Sequence, residues 1–308
     1  CKVMAWHRAG VLSEALSSGH RPRVLHQADW AASLLHGRSD TTDFNNALKL
    51  GYDPAAEEYP DWISSQAFAP LLPDRVVAPG EPVAKVTPEA ARRSGLPTGC
   101  IVCGGTTDSI AAFVAAGLTE PGEAVTSLGS TMAVKMISTV RIDSAAHGIY
   151  SHRLGDTWLV GGASNTGGAV LESFFTPEQL RALSERIDPV EPSGLDYYPL
   201  LRPGERFPIS DPTMEPRLAP RPEDDARFLH GMLEGIARAE AKGYELLREL
   251  GASPLKRVLT AGGGASNPKW TAIRQRMLGV DVGVSPQAEA SYGAALLARQ
   301  GASVARAT

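Results

Sequence analysis

The chain has 308 residues and a mass of 32.6 kDa, enough for about two domains that each bury a core of their own. Its 43% hydrophobic and 21% charged residues exclude a disordered tail, and a net charge of -4 gives no sign of a nucleic-acid partner. No apolar stretch reaches the roughly 18 uncharged residues of a membrane span. The composition therefore predicts a cytoplasmic protein without nucleic-acid or membrane partners.

The cysteines predict neither a disulfide framework nor a metal site, because there are only three. Cys100 and Cys103 have the C-x-x-C spacing, but they lie in the apolar run 99–104, which is typical of a buried strand. Positions three apart on a strand face opposite sides of the sheet. We therefore expect no metal ligands in this chain.

In the first half, the apolar spacing of residues 24–35 predicts a helix that ends at Gly37. A short helix is predicted at residues 88–94, within a segment otherwise rich in proline and typical of loops. Residues 99–104 then predict a strand, and residues 110–116 an apolar helix. The polar segment between them makes this a strand, turn and helix in succession.

The second half begins with residues 123–138 and 148–161, which predict two successive β-hairpins and hence an antiparallel sheet. Residues 186–222 are rich in proline and predict irregular structure, and an apolar stripe over residues 224–250 predicts a long helix. The remaining pattern is typical of alternating strands and helices: a strand at 258–261, a helix at 268–278, a strand at 280–284 and a helix at 289–300.

Three glycine-rich turns stand out, at residues 127–131, 161–168 and 262–267. Backbone N–H groups in such turns form concave sets of donors for phosphate oxygens, so one polyphosphate ligand would explain all three. Each turn taken alone is equally well a tight turn with no ligand. The sequence has neither G-x-x-x-x-G-K-[ST] nor G-x-G-x-x-G, which argues against a P-loop and against a nicotinamide dehydrogenase.

Asp108 is the candidate catalytic residue, because it follows the strand predicted at 99–104 and precedes an apolar helix. An ionised carboxylate at the end of a strand can accept a proton from a substrate hydroxyl. Aspartate is also a common N-cap, and a helix starting near Ile110 could be capped by Asp108 or by Ser109. The spacing does not separate these two roles.

The motifs GGTTD at 104–108, TSLGST at 126–131, GER at 204–206 with DP at 211–212, and GGGASN at 262–267 resemble, in order and spacing, those of the FGGY carbohydrate kinases. The chain is most similar to the short bacterial and plant kinases of ribulose and xylulose. The resemblance implies an α/β, actin-like ATPase fold of two ribonuclease-H-like domains with a cleft. Residues 1–118 would form the C-terminal portion of the sugar-binding first domain, and residues 119–308 the nucleotide-binding second domain.

The resemblance also implies site residues. Asp108 matches the catalytic base, which contacts the sugar, whereas Glu205 and Arg206 match positions that are more often structural. The implied nucleotide contacts are Gly129 and Ser130 at the β- and γ-phosphates, Gly168 at the start of a helix, Gly263 near the α-phosphate and ribose, and Asn267 at the adenine. ATP and Mg²⁺ are the implied cofactors, and a small sugar is the other partner.

One departure concerns the start of the chain. Family members begin with an Asp-x-Gly-Thr or Asp-x-Gly-Ser hairpin, and none precedes Lys2. We therefore expect the first domain to be incomplete, with about a hundred residues missing. The leading hypothesis is ATP-dependent phosphorylation of a ketopentose hydroxyl, although a fragment can itself be inactive. The alternative is an actin-fold module that binds a nucleotide or sugar without phosphotransfer.

Overall fold

The computed structural model describes residues 2–17 and 22–307, so Cys1 lies outside the described residues. The chain divides into two compact units. Unit 1 comprises Cys1–Ala115, His152–Gly155 and Glu289–Thr308, and unit 2 comprises Ala116–Ser151 and Asp156–Ala288. The domain boundary between residues 118 and 119 stays a prediction. Within the described ranges, no helix combines the length and the apolar character needed to cross a membrane.

Unit 1 contains short helices and two small sheets. Its elements before residue 116 are α1 (Lys2–Arg8), α2 (Val11–Ser17), α3 (Gln27–His36), β1 (Thr41–Asp43), α4 (Phe44–Ala47), α5 (Asp61–Ser64), β2 (Arg75–Val77), β3 (Pro82–Lys85), α6 (Pro88–Ser94), β4 (Ile101–Cys103) and α7 (Asp108–Ala115). Strand β1 pairs with β2 in parallel, and β3 pairs with β4 antiparallel. The strand predicted at residues 99–104 is thus present in part: β4 contains Cys103 but not Cys100, and it is half-buried rather than buried.

Unit 2 is built on a six-stranded mixed sheet. Its strands and α-helices are β5 (Glu123–Leu128), β6 (Met132–Ser138), β7 (Tyr150–Leu154), β8 (Thr157–Ala163), α8 (Gly168–Glu172), α9 (Pro177–Glu185), α10 (Asp225–Glu249), β9 (Arg257–Ala261), α11 (Pro268–Leu278) and β10 (Asp281–Val284). Strand β7 begins in unit 2, and its residues 152–154 are counted with unit 1. The strand order is β10-β9-β5-β6-β8-β7. Strands β5, β6 and β8 pair antiparallel, as the predicted hairpins require, whereas β9 is parallel to both β5 and β10.

Helix α10 supplies much of the core of unit 2. Its first half buries Leu229, Met232 and Leu233 in one apolar cluster. Its second half buries Tyr244 and Leu247 in another cluster, which also contains Val258 of β9. The long helix predicted at residues 224–250 therefore packs against the sheet through both halves of its apolar stripe.

The last helix, α12 (Ala290–Ala307), belongs to unit 1 and is longer than predicted. The prediction ended it at residue 300, because glycine commonly stops a helix. Gly301 serves instead for close packing, since a Cβ there would lie 1.9 Å from the carbonyl oxygen of Gly80. Gly293 packs likewise against α7, where a Cβ would lie 1.8 Å from the carbonyl oxygen of Ala111.

Candidate functional site

A pocket of about 630 Å³ lies within unit 2, among the turns that follow β5 and β9 and the helices α8, α9, α10 and α11. All five residues predicted to contact a nucleotide line it: Gly129, Ser130, Gly168, Gly263 and Asn267. They come from three turns separated by up to 138 positions in sequence (267 minus 129). Folding therefore brings these motifs together, as one shared ligand would require.

The turn between β5 and β6 offers unused hydrogen-bond donors. Gly129 donates its N–H to the carbonyl oxygen of Thr131 at 3.3 Å. Ser130 is exposed, and neither its N–H nor its hydroxyl has a partner among the residues that the structure describes. Free backbone and hydroxyl donors in a turn are suited to bind phosphate oxygens.

Gly168 has a packing role that the sequence did not reveal. Its N–H donates to the carbonyl oxygen of Gly129 at 2.8 Å, and the next N–H, of Ala169, donates to that of Ser130 at 3.1 Å. A Cβ at residue 168 would lie 2.8 Å from the carbonyl oxygen of Gly129. Glycine is thus needed here so that α8 can dock on the β5–β6 turn, and this N–H is already used within the protein.

The turn after β9 packs closely against β5, with one exception. A Cβ on Gly262 would lie 2.7 Å from the carbonyl oxygen of Leu128, and a Cβ on Gly264 would lie 2.7 Å from both Leu128 and the ring of Trp270. Gly263, between them, is exposed and has no atom within 4 Å of a built Cβ. Packing within the protein therefore does not require glycine at 263, and the space beside it is open.

Asn267 joins two helices that border the pocket. Its side-chain oxygen accepts the N–H of Trp270 at 3.1 Å, which makes it the N-cap of α11. Its side-chain NH₂ donates to the hydroxyl of Ser184 on α9 at 2.9 Å. Asn-Pro before an apolar helix is a recognisable start signal, so this capping role could have been predicted. The adenine contact of Asn267 stays a prediction.

A buried carboxylate holds the loop that leads into α8. Glu205 accepts hydrogen bonds from the hydroxyl of Ser164 at 2.6 Å, from the N–H of Asn165 at 2.7 Å and from the hydroxyl of Tyr198 at 2.9 Å. Only 3% of Glu205 is exposed. These contacts agree with the structural role expected for this residue.

Asp108 lies in unit 1, as the first residue of α7, and is exposed. The helix begins two residues before Ile110, where the prediction placed its start, so Asp108 is not the N-cap of a helix that starts there. One of its carboxylate oxygens accepts the N–H of Ser109 at 2.6 Å. The exposed carboxylate, an acceptor-only group when ionised, is suited to accept a proton.

Buried polar side chains of the TDFNN segment, residues 42–46, support the loop that precedes Asp108. The side-chain NH₂ of Asn45 donates to the hydroxyl of Thr106 at 3.0 Å. Asp43 accepts the N–H groups of Asn45 and Asn46, at 2.9 and 3.0 Å, and the side-chain NH₂ of Asn46 at 2.6 Å. Burial raises the pKa of Asp43. Sequence reasoning missed this support, because nothing in the pattern of the segment indicates a contact 61 positions away.

Metal binding has no support in the described part of the chain, where no group of three or more His, Cys, Asp or Glu side chains could hold an ion. Cys100 and Cys103 are free thiols. Binding of Mg²⁺ together with ATP stays a prediction.

Comparison with known proteins identifies the family. The C-terminal domain of the FGGY family of carbohydrate kinases matches residues 124–301, which is more than half of the chain. The chain belongs to the FGGY family of carbohydrate kinases. The matched segment contains all three glycine-rich turns of the pocket.

Relatives of this FGGY chain include sugar kinases of several names. It is 28% identical over 232 residues to a xylulose kinase of Bacillus subtilis (strain 168), covering 71% of this chain and 46% of the relative. It is 24% identical over 299 residues to an L-fuculokinase of Salmonella typhi, covering 90% and 61% respectively. The chain thus spans about half of the length of the curated relatives that it matches.

Solved structures confirm the predicted fold. The crystal structure of a xylulose kinase from Brucella ovis superposes with a TM-score of 0.82 and 23% identity, covering 92% of this chain and 60% of that one. The α/β, actin-like ATPase fold expected from the FGGY resemblance is therefore present.

Proposed function

We propose that this FGGY chain is part of an ATP-dependent kinase that phosphorylates a hydroxyl group of a sugar. The observation that carries the proposal is the convergence on one pocket of unit 2 of the five residues, distant in sequence, that the FGGY resemblance implies as nucleotide contacts. The pocket fits a nucleotide, because Ser130 offers free donors and Gly263 leaves open space that a side chain would fill.

In this proposal, the turn at Gly129 and Ser130 binds the β- and γ-phosphates of ATP, and the turn at Gly263 lies beside the α-phosphate and ribose. Asp108 binds the sugar and accepts the proton of the hydroxyl that attacks the γ-phosphate. Phosphoryl transfer depends mainly on positioning the reactants and on neutralising charge. A single well-placed carboxylate is therefore sufficient as the general base. Magnesium, bound to the phosphates, would supply positive charge there.

The sugar that we propose is a ketopentose, D-ribulose or xylulose. Support comes from the xylulose kinase of Bacillus subtilis, to which the chain is similar. Because the chain is also similar to an L-fuculokinase, L-fuculose is included as a second candidate sugar in the activity assay below. We place the activity in the cytoplasm, where ATP is available.

The nucleotide pocket is tested by titrating the 308-residue chain with ADP, following heat or amide shifts. Gly263→Val should abolish binding without loss of thermal stability, because the new side chain has room in the protein but would occupy the ligand's space. Gly99→Val is the matched control, since Gly99 is equally exposed and equally free of close neighbours, in unit 1. Equal binding by the wild type and Gly263→Val would remove this turn from the nucleotide site.

The catalytic role of Asp108 is tested in the full-length protein that contains this sequence, by measuring ADP release with D-ribulose, xylulose and L-fuculose. Asp108→Asn should reduce turnover by about 10²–10⁴-fold, the usual contribution of a general base. Asp61→Asn is the control, because Asp61 is likewise exposed at the first position of a helix in unit 1. Turnover within about tenfold of wild type would contradict the assignment. ADP binding without turnover on any sugar would favour the binding module instead.

A further inference from the structure

A buried ion pair lies at the centre of unit 2. Glu240 of α10 is 0% exposed and Arg274 of α11 is 1% exposed. The Nε and Nη2 atoms of Arg274 donate to the two carboxylate oxygens of Glu240, at 2.6 and 2.7 Å. This is the bidentate geometry in which a guanidinium and a carboxylate bind most strongly.

The same pair also binds the two strands at the middle of the sheet. Thr126 of β5 donates its hydroxyl to Glu240 at 2.5 Å, and Nη1 of Arg274 donates to the hydroxyl of Thr260 on β9 at 2.5 Å. Thr126 and Thr260 are both fully buried and lie directly opposite each other in the parallel register. Since the hydroxyl hydrogen of Thr126 goes to Glu240, the hydroxyl of Tyr244, 2.8 Å away, donates to Thr126 in turn. The network therefore joins β5, β9, α10 and α11.

Three of these elements lead into or out of turns of the pocket. Thr126 is three residues before Gly129, and Thr260 is three residues before Gly263. Arg274 lies seven residues, about two helical turns, after Asn267 at the start of α11. A Cβ added to Gly262 or Gly264 would lie 2.7 Å from Leu128, so the turn after β9 packs closely against the end of β5. A shift of β9 along β5 would therefore move one turn of the pocket against the other.

Stability alone does not account for the network. Buried ion pairs can often be replaced by apolar residues of similar volume with little or no loss of stability, whereas fixing a register is their best-attested use. The hydroxyls of Thr126 and Thr260 bind the ion pair from paired positions of adjacent strands, so the hydrogen bonds form only in this register.

We propose that Arg274, Glu240, Thr126 and Thr260 are positioning residues that fix the register of β5 and β9 and thereby hold the turns at Gly129 and Gly263 at the separation a nucleotide needs. The inference rests on the nucleotide pocket proposed above. None of the four residues lines that pocket, so they act through the turns rather than by contact.

The test uses Thr260→Val, which keeps the shape of the side chain and replaces the hydroxyl that accepts from Arg274 with a methyl group. We expect the chain to remain folded and its Kd for ADP to rise about three- to tenfold, because the separation of the turns that binds ADP is then less populated. Amide hydrogen exchange of residues 262–267 should accelerate in the absence of ADP. Thr260→Ser restores the hydroxyl and should restore both measurements, and Thr126→Val provides a second variant with the same expectation if Thr260→Val does not fold.

Ser138→Ala is the control. The hydroxyl of Ser138 is also fully buried and hydrogen-bonded, to the N–H groups of Val140 and Ser253, but it lies at the end of β6 that is far from the Gly129 turn. Ser138→Ala should lower the stability of the chain without changing its Kd for ADP or the amide hydrogen exchange of residues 262–267. An unchanged Kd and unchanged exchange in both threonine-to-valine variants would overturn the inference. If the wild type binds no ADP, the proposed function fails at this site, and the exchange measurement still decides the positioning role.

Discussion

The two units bury carboxylates in different ways. Helix α10 of unit 2 carries Glu234 and Glu240, 2% and 0% exposed, and each is bound by an arginine of α11. In unit 1, Asp29 and Asp43 are also buried, but among the described residues no lysine or arginine pairs with them. Backbone N–H groups and the Asn46 side chain are their partners instead.

The pKa values reflect this difference. Burial alone would raise the pKa of Glu234, but its hydrogen bonds with Ser193 and Arg276 outweigh burial and lower it. Burial dominates at the aspartates, raising the pKa of Asp43 and bringing that of Asp29 to about 6. The combined hydrogen bonds of Ser193 and Arg276 thus keep Glu234 charged, whereas the uncharged partners of Asp29 and Asp43 do not fully offset the loss of water. Breaking either kind of contact should have distinct effects.

The largest effect is expected where an ion pair is broken on one side. Glu240→Ala leaves the guanidinium of Arg274 buried without its partner, and we expect a loss of about 3–5 kcal/mol in the free energy of unfolding by urea. The double variant Glu240→Leu with Arg274→Met removes both charges and should lose much less. Glu89→Ala is the control, because its pair with Arg93 is exposed and should contribute less than about 0.5 kcal/mol. A double variant as unstable as Glu240→Ala would show that the pair itself, rather than the unpaired charge, matters.

An intermediate effect is expected at Asp43. Asp43→Ala removes the acceptor of the first N–H groups of α4 and of the Asn46 side chain, so we expect a loss of about 2 kcal/mol. Asp188→Ala serves as the control, since exposed Asp188 accepts one N–H, that of Val190. Thermal unfolding monitored by circular dichroism measures both. Equal losses would mean that burial adds nothing to the cap.

The contrast between the units also separates what the sequence could predict from what it could not. The helices α6 and α11 have the predicted bounds, because local signals mark both ends: Thr87 and Asn267 cap their starts, and Gly95 and Gly279 their ends. The predicted end of α12, at residue 300, was wrong, because Gly301 packs against Gly80, which is far away in sequence, and does not end the helix. Local signals thus predict elements, and long-range packing sets the exceptions.

The same reasoning applies to the site. The five pocket residues were predicted because the FGGY motifs mark them, and the structure brings them to one pocket. The network of Glu240 and Arg274 was missed, since a glutamate and an arginine on two amphipathic helices are ordinarily read as solvent-facing. Their partners Thr126 and Thr260 are ordinary strand residues. Only the register of β5 and β9 shows that these side chains meet.

The smallest effect, and the one with a defined pH dependence, is expected at Asp29. In the unfolded chain its pKa is about 3.9, and in the folded protein it is about 6. Between these values the folded state holds a proton that the unfolded state releases, so this carboxyl makes stability fall as pH rises from about 4 to 6. Glu234, with a lowered pKa, acts in the opposite sense: its contribution to stability is lost as pH falls below the pKa that it has in the unfolded chain.

Asp29→Asn is neutral at every pH and keeps an oxygen to accept the backbone N–H of His26. It should therefore match the wild type near pH 4 and exceed it by ~1–2 kcal/mol at pH 7, as measured by urea unfolding at both values. Burial lowers the pKa of the nearby His26 from its ordinary value, so His26→Gln is the control that isolates Asp29. A variant that gains nothing at pH 7 would show that the hydrogen bond from His26 and its surroundings stabilise the charged carboxylate as well as an arginine does, and the contrast between the two units would fail.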